Sequence, residues 1–359
     1  MKHINVCTSK TYDVIVGNGL ICNAASYLQK VIAGKRIAII SDSNVWSVYG
    51  ENLQNSLEAC GYSIAYYVIP PGEQRKNGDT YLRILNFCAE SKLTRKDCII
   101  ALGGGVVGDI AGFVSATYLR GISYVQIPTS LLAMVDSSVG GKTAINLPTG
   151  KNLAGAFYQP NLVLCDLQAL NTLPDEVFRD GCAEVIKYGI LFDTELFDHL
   201  YQFGCKFDRE YVITRCIELK KDVVEHDERD LGDRQLLNLG HTLGHSIETL
   251  SNYSISHGKA VAIGINLISA GAASEGICSA EAFSRIHAIL EKFGLPTKTS
   301  YPAQLLLDAA MHDKKLANKA LSFILPTTIG KCVIYPYPIE NLESFIKAGL
   351  TYADHCISR

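Results

Sequence analysis

The sequence predicts an α/β domain over residues 1–172 followed by a mainly helical domain over residues 173–359. Three observations carry this reading. The first half alternates short β-rich runs with helical stretches, which is a βαβ pattern. Several of those runs are continuously apolar, as parallel strands covered on both faces are. After Thr172-Leu173-Pro174, strand-like runs nearly vanish and long amphipathic stretches follow, from Asp180 to about Gly294. The predicted strands are Tyr12 to Val16, Arg36 to Ile40, Ser63 to Ile69, Cys98 to Leu102, Ser123 to Ile127 and Leu162 to Cys165. Gly78 to Ser91 and Asp109 to Ala116 read as helices between them. Ser322 to Leu325 and Lys331 to Tyr335 read as a late hairpin across Thr327 to Gly330.

A length of 359 residues suits two domains, and 48% hydrophobic against 19% charged residues suits a large core. The net charge of −3, with no basic run, argues against nucleic acid or an anionic membrane as a partner. The 12 cysteines are scattered from Cys7 to Cys356 with no two-residue spacing, so neither a zinc knuckle nor a thioredoxin-like motif is present. They read as reduced, mostly buried thiols of a cytoplasmic protein. Met1 to Val16 lacks the basic-then-apolar block of a signal peptide. No segment approaches the roughly 20 apolar residues of a membrane span.

Cys98 to Leu102 runs into Gly103-Gly104-Gly105-Val106-Val107-Gly108-Asp109 and then a helix. Strand, glycine turn and helix N-terminus make a phosphate cradle, because the backbone can approach and its free N–H groups face the anion. The spacing matches a dinucleotide fingerprint, which also calls for an acid about 20 residues on. That position is Pro128. An acid at a strand end occurs earlier, at Asp42, and its use would imply a different strand order. A tight βα turn with no ligand is the structural alternative.

The run Pro128 to Asn146 is dense in hydroxyls and glycine and contains Gly140-Gly141-Lys142; Gly150-Lys151-Asn152 repeats the glycine–lysine theme. Glycine beside lysine suits an anionic ligand. A nucleotide-hydrolase loop is excluded, since its first glycine would fall at Asp136.

His241-Thr242-Leu243-Gly244-His245 places two imidazoles four apart, on one face of a helix, and His257 follows. Satisfied core histidines would explain them; so would a divalent metal or polar substrate, since buried polar groups need partners. Arg234, Asn238, His241 and His245 form one helical stripe if the helix begins early enough. Glu184 and Lys187, three apart, share a face and read either as a plain ion pair or as part of the site. Glutamate with two or three histidines is a catalytic zinc set that leaves positions open. Thr242 stands where a metalloprotease needs glutamate, so peptide hydrolysis is disfavoured.

These strings, with Pro71-Gly72-Glu73-Gln74-Arg75-Lys76, Gly181 to Gly189 and Leu237 to His245, occur in the order found in 3-dehydroquinate synthases. From about Asp42 to about Pro336 the chain resembles that family, sugar phosphate cyclases of the shikimate pathway. The resemblance implies a Rossmann-like NAD-binding α/β domain, a helical metal-binding domain, and a homodimer. Its zinc or cobalt ligands match Glu184, His241 and His257, which leaves His245 as a substrate-side residue near the phosphate. Its NAD site matches Asp42, Asn44, Gly72, Glu73, Lys76, Gly104, Gly105, Val106, Val107, Gly108, Asp109, Thr129, Ser130, Asp136, Ala169, Leu170, Asn171 and Thr172. Lys142 and Lys151 match lysines lining both cofactor and substrate. Asn152, Lys187 and Asn238 match substrate ligands, with Arg120 reaching in from the partner subunit. Lys220, Arg234 and Lys314 match the group holding the substrate carboxylate.

The implied reaction converts 3-deoxy-D-arabino-heptulosonate 7-phosphate to 3-dehydroquinate and phosphate. It proceeds by NAD-mediated transient oxidation, β-elimination of phosphate, reduction by the same NADH and intramolecular aldol closure. The alternatives are a sugar phosphate cyclase whose substrate lacks the carboxylate, a metal-dependent polyol dehydrogenase, and a non-catalytic binding module. Three positions depart from the family pattern. Glu176-Val177 stands for Arg-Glu, Lys259 for Glu, and Thr129-Ser130 for Thr-Thr.

Overall fold

The computed structural model describes residues 1–313 and 320–356. The chain divides into two compact units. The first is Met1–Pro174 with Arg209–Arg229, and the second is Asp175–Asp208 with Asp230–Arg359.

In chain order the strands of the first unit are β1 (Lys2–Cys7), β2 (Thr11–Gly17), β3 (Arg36–Asp42), β4 (Ser63–Ile69), β5 (Cys98–Gly103), β6 (Ser123–Pro128), β7 (Lys142–Leu147), β8 (Gly150–Phe157) and β9 (Leu162–Asp166). Seven of them form one sheet in the order β1-β2-β9-β6-β5-β3-β4. β1 runs antiparallel to β2, and the other neighbours are parallel. β5 and β9 are buried along their whole length, and β3 and β6 nearly so, which their apolar runs require of strands covered on both faces.

All six predicted runs lie on strands of this sheet. β1 escaped the sequence reading because it is an edge strand that buries only Ile4 and Val6, alternating with exposed polar residues. β7 and β8 escaped it too. They pair as a separate hairpin within the stretch read as polar loops, where hydroxyls, glycines and amides dilute the β signal. The helix Gly105–Thr117 starts four residues before the predicted Asp109, because the glycine turn itself supplies its first turn.

The strand order places Asp42 near the glycine turn. β3 lies directly beside β5, with Ser41 opposite Leu102. Asp42 therefore ends the strand next to the one that runs into the glycine turn. β4 continues outward from β3 while β5 returns on its other side, so the order reverses between β3 and β5. In open α/β sheets ligands bind outside the strand ends at such a reversal.

The helix Arg209–His226 belongs to the first unit, so the units are not contiguous in sequence as a single boundary near residue 172 supposes. It is tied there by polar contacts no local pattern encodes. Glu225 accepts from the Cys7 backbone N–H (2.6 Å), and nearby Glu228 accepts from Gln159 (2.8 Å) and Ser9.

The second unit contains the helices Asp175–Phe192, Thr194–Phe203, His241–Leu250, His257–Ser274, Ala280–Lys292, Ala303–Asp313 and Ile339–Cys356. β10 (Ala320–Thr328) and β11 (Lys331–Pro338) form the expected antiparallel hairpin. The helix His257–Ser274 is buried from Ala260 to Ala272, as its almost uncharged sequence requires, and is the unit's central element. No helix of the described residues is long and apolar enough to cross a membrane.

Candidate active site

Glycine sets how closely the helices of the second unit approach. A Cβ on Gly258 would lie 1.9 Å from the Asp180 carbonyl oxygen, and one on Gly264 would lie 2.0 Å from that of Gly240. Only glycine permits these approaches, which press the central helix against Asp175–Phe192 on one side and His241–Leu250 on the other. Asp180 then caps the central helix from outside: its carboxylate accepts from Ser256 Oγ and from the Lys259 backbone N–H (3.0 Å). His257, the first residue of that helix, is thereby held next to the helix carrying Glu184.

Glu184, His241 and His257 converge. Nε2 of His241 lies 3.6 Å from Glu184 Oε1, and Nε2 of His257 lies 3.5 Å from the same oxygen. The three ligand atoms all lie within 4.8 Å of one another, and Glu184 is fully buried. The second nitrogen of each ring faces an acceptor: His241 Nδ1 is 3.1 Å from the Leu239 carbonyl, and His257 Nδ1 is 3.4 Å from Glu248 Oε2. Burial, then the Lys187 ammonium, pushes the His241 ring down to about 3. Burial also lowers His257, but its hydrogen bonds to the Glu184 and Glu248 carboxylates prevail and lift it to about 10. Two imidazoles and a buried carboxylate fit zinc or cobalt.

Lys187 meets the other oxygen of Glu184, and both side chains are buried, so this is no surface ion pair. His245 has a different neighbourhood from His241. Its ring falls in a group with Glu248 and His257. Spacing alone treats His241 and His245 as equivalent; in the fold they fall in different candidate ligand groups.

The single helical stripe from Arg234 to His245 does not form. Arg234 and Asn238 lie in a 3₁₀ segment, Asp233–Asn238, and the α-helix starts afresh at His241. Gly240 breaks it, with φ of 76° and no space for a side chain beside Ile265. Arg234 is almost fully buried.

In the first unit a polar cluster forms on elements flanking the glycine turn. Lys76, 4% exposed, contacts the Asp109 carboxylate and donates to Asn152 Oδ1 (2.6 Å). Burial raises the Asp109 carboxyl above its usual range, with Lys76 working against that. Asn152, at φ of 55°, donates its backbone N–H to Asn146 Oδ1 (2.9 Å), and Asn146 Nδ2 donates to Glu73 Oε1 (2.8 Å). A bulge between Ile145 and Leu147 frees Asn146 from the regular ladder for these contacts. Gly72, at φ of 112°, opens the turn that carries Glu73.

A π-helical turn, Ala133–Ser137, presents Asp136, which accepts from Lys220 Nζ through its carboxylate and its carbonyl (both 2.6 Å). Asp42 Oδ1 accepts from the Asn44 and Val45 backbone N–H groups (2.9 and 3.2 Å), capping the turn after β3. Thr129 donates its backbone N–H to the Gly103 carbonyl (3.0 Å), and Ser130 Oγ accepts from the Ala133 N–H. Ala169, Leu170 and Asn171 lie in a 3₁₀ segment after β9, where Asn171 accepts from Arg209 (2.7 Å) and Thr172 pairs with Tyr49. Lys142 opens β7, Lys151 lies on β8, and Arg120 is exposed. Lys314 lies outside the described residues.

Sequence reasoning missed Asn146, Asp180 and Glu248. The first closed a quoted string without attracting a role. Glu248 carried a signal, since it follows His241 by two helical turns and so shares its face. Asp180 carried none, because its partners Ser256 and Lys259 are distant in sequence.

The fold is that of the sugar phosphate cyclases. Among solved structures, ValA, a 2-epi-5-epi-valiolone synthase from Streptomyces hygroscopicus subsp. jinggangensis 5008 with NAD+ and Zn2+ bound, matches with a TM-score of 0.89 at 27% identity, over 98% of this chain and 99% of that one. Residues 66–180 match the family 3-dehydroquinate synthase N-terminal, and residues 181–316 match 3-dehydroquinate synthase C-terminal. This chain belongs to the 3-dehydroquinate synthase family. A 3-dehydroquinate synthase of Clostridium perfringens (strain 13 / Type A) is 47% identical over 340 residues, covering 93% of this chain and 97% of that protein. Another, of Acaryochloris marina (strain MBIC 11017), is 42% identical over 338 residues, covering 89% and 90%.

Proposed function

We propose that this chain is a 3-dehydroquinate synthase, a phosphate-eliminating lyase that converts 3-deoxy-D-arabino-heptulosonate 7-phosphate to 3-dehydroquinate. The observation that carries the reading is the convergence of Glu184 with Nε2 of His241 and His257. A dedicated three-donor set of this kind serves chemistry on oxygen rather than packing alone. These residues would hold zinc or cobalt, and the glycine turn with Asp42, Glu73, Lys76 and Asp109 would hold NAD. When bound, NAD accepts and returns a hydride and the cation polarises vicinal substrate oxygens.

The remaining work falls to side chains of the chain itself. Lys142, Lys151 and His245 bind the phosphate and balance its charge as it leaves. Lys220, Arg234 and Lys314 hold the carboxylate, while Asn152, Lys187 and Asn238 orient the hydroxyls. Asp136 holds the Lys220 ammonium in place, so a substrate carboxylate meets a cation whose position is already set. The phosphate can take up the proton released during its own elimination, so no separate general base is required.

A homodimer in which Arg120 reaches the partner's site belongs to the same reading. Leu119 and Arg120 both adopt positive φ (52° and 64°), an uncommon backbone that projects this turn, and Leu119, Leu147, Leu153 and Phe157 leave apolar surface exposed. A cytoplasmic location belongs to the same reading, which the burial of Cys88, Cys98, Cys165 and Cys278 as thiols supports.

The test is phosphate release from the seven-carbon acid phosphate compared with a seven-carbon sugar phosphate lacking the carboxylate. The proposal expects turnover of the acid and at least about a hundredfold lower kcat/KM for the other, since a substrate without the carboxylate forgoes its charge-assisted contacts to those cations. Equal rates would turn the reading toward a cyclase of neutral substrates.

A further inference from the structure

We infer that Glu248 is a positioning residue: its buried carboxylate holds Nδ1 of His257 and so commits Nε2 of that ring to the cation site formed with Glu184 and His241. The inference rests on the cation reading of that group and adds a residue to it.

Glu248 is 2% exposed and lies on the helix His241–Leu250, two turns after His241. A carboxylate is costly to bury without a partner. Its Oε2 is 3.4 Å from His257 Nδ1, while His257 Nε2, across the ring, is 3.5 Å from Glu184 Oε1. To hold a cation the ring must carry one N–H and one lone pair, and a carboxylate can only accept. With a cation held, the nitrogen facing Glu248 is the N–H, and the lone pair is left on Nε2, on the side of Glu184. His241 follows the same rule with a neutral acceptor, the Leu239 carbonyl at 3.1 Å.

The two rings are thus fixed in the same tautomer by acceptors of different charge. A carboxylate behind an imidazole makes the opposite nitrogen a stronger donor than a carbonyl does, and removal of such a partner typically costs 10–100-fold in metal affinity. Glu248 also lies within ligand distance of His245 and His257. Its hydrogen bond to the Nδ1–H of His257 closes that alternative, because a cation at Nδ1 would have to displace the proton.

The experiment titrates the metal-stripped full-length chain with cobalt, following the visible absorption, and measures zinc affinity by chelator competition. It compares wild type, Glu248→Gln and Glu248→Ala, with thermal unfolding in chelator as the folding control. Gln keeps an acceptor oxygen and loses the charge, so it carries the test if the Ala variant fails to fold. The expected result is one cobalt per chain in the wild type. Zinc affinity should fall about 10–100-fold in Glu248→Ala and by a smaller factor in Glu248→Gln, with a changed cobalt spectrum in both. Folded variants with wild-type affinity and spectrum would overturn the inference. So would two cobalt ions per chain in the wild type, since Nδ1 would then be a ligand. A wild type that binds no cobalt would overturn the cation reading itself.

Discussion

Lys259 and Glu176, two positions at which this chain departs from its family's pattern, form an ion pair with each other. The pattern implied by the sequence resemblance has Arg and Glu at these places; this chain carries Glu and Lys, and the two side chains meet. The Lys259 side chain is turned to Glu176, while its backbone N–H is capped by Asp180 and the His257 ring faces Glu184 and Glu248. The substitution beside His257 therefore leaves that histidine's partners in place.

Exchanging the pair in the other direction, Glu176→Arg with Lys259→Glu, should leave metal content and the unfolding temperature at wild-type values, because exposed pairs contribute little. Lys259→Ala should do the same. Loss of bound metal from a folded Lys259→Ala protein would show that Lys259 supports His257 after all.

The Glu184–Lys187 pair predicts a separable stability effect. Glu184→Gln removes the carboxylate charge beside a buried ammonium and should cost about 3–5 kcal/mol, while adding Lys187→Met should restore much of that. Neither variant should hold zinc. Denaturant unfolding and metal analysis of the three proteins decide it; zinc retention in the double variant would remove Glu184 from the ligand set.

Gly258→Ala tests whether helix approach sets the site. The new Cβ would meet the Asp180 carbonyl at 1.9 Å, and the helices must separate, at a cost of about 1–3 kcal/mol. Zinc affinity should fall although no ligand is changed. Unchanged stability and affinity would mean that the contact is not what positions His257.

A pH-dependent reaction is expected at Cys205. A hydrogen bond from the Cys182 thiol, with help from Arg179 and against partial burial, brings the Cys205 thiol down to about 7. The thiolate is the reactive form, so alkylation should rise with pH, reach half its plateau near pH 7, and be about tenfold slower at pH 6. Burial pushes the thiols of Cys98 and Cys165 up, and they should stay inert. Peptide mapping after timed alkylation reads both; a Cys205 midpoint near pH 9 would contradict the account.

The parallel core was legible because apolar runs such as Cys98 to Leu102 and Leu162 to Cys165 have no stable fate except burial on both faces. The hairpin of β7 and β8 was not, since Gly150 to Phe157 offers little β-branched or aromatic content to pack. The site was legible as strings of residue types. Its assembly was not: nothing local says that His241 and His257 converge on Glu184, which depends on the close helix approach at Gly258 and Gly264. The continuous stripe from Arg234 to His245 failed at Gly240 for the same reason, a packing constraint from Ile265 overriding a clean helical spacing.

The central claim is that one cofactor is oxidised and regenerated within each turnover. The most direct measurement incubates the zinc-loaded protein with 3-deoxy-D-arabino-heptulosonate 7-phosphate and NAD well below the substrate concentration, following phosphate and NADH absorbance together. The account predicts that phosphate is released far in excess of NAD while NADH does not accumulate. NADH build-up in proportion to substrate consumed, with phosphate release halting once NAD is spent, would contradict it and mark the protein as a dehydrogenase.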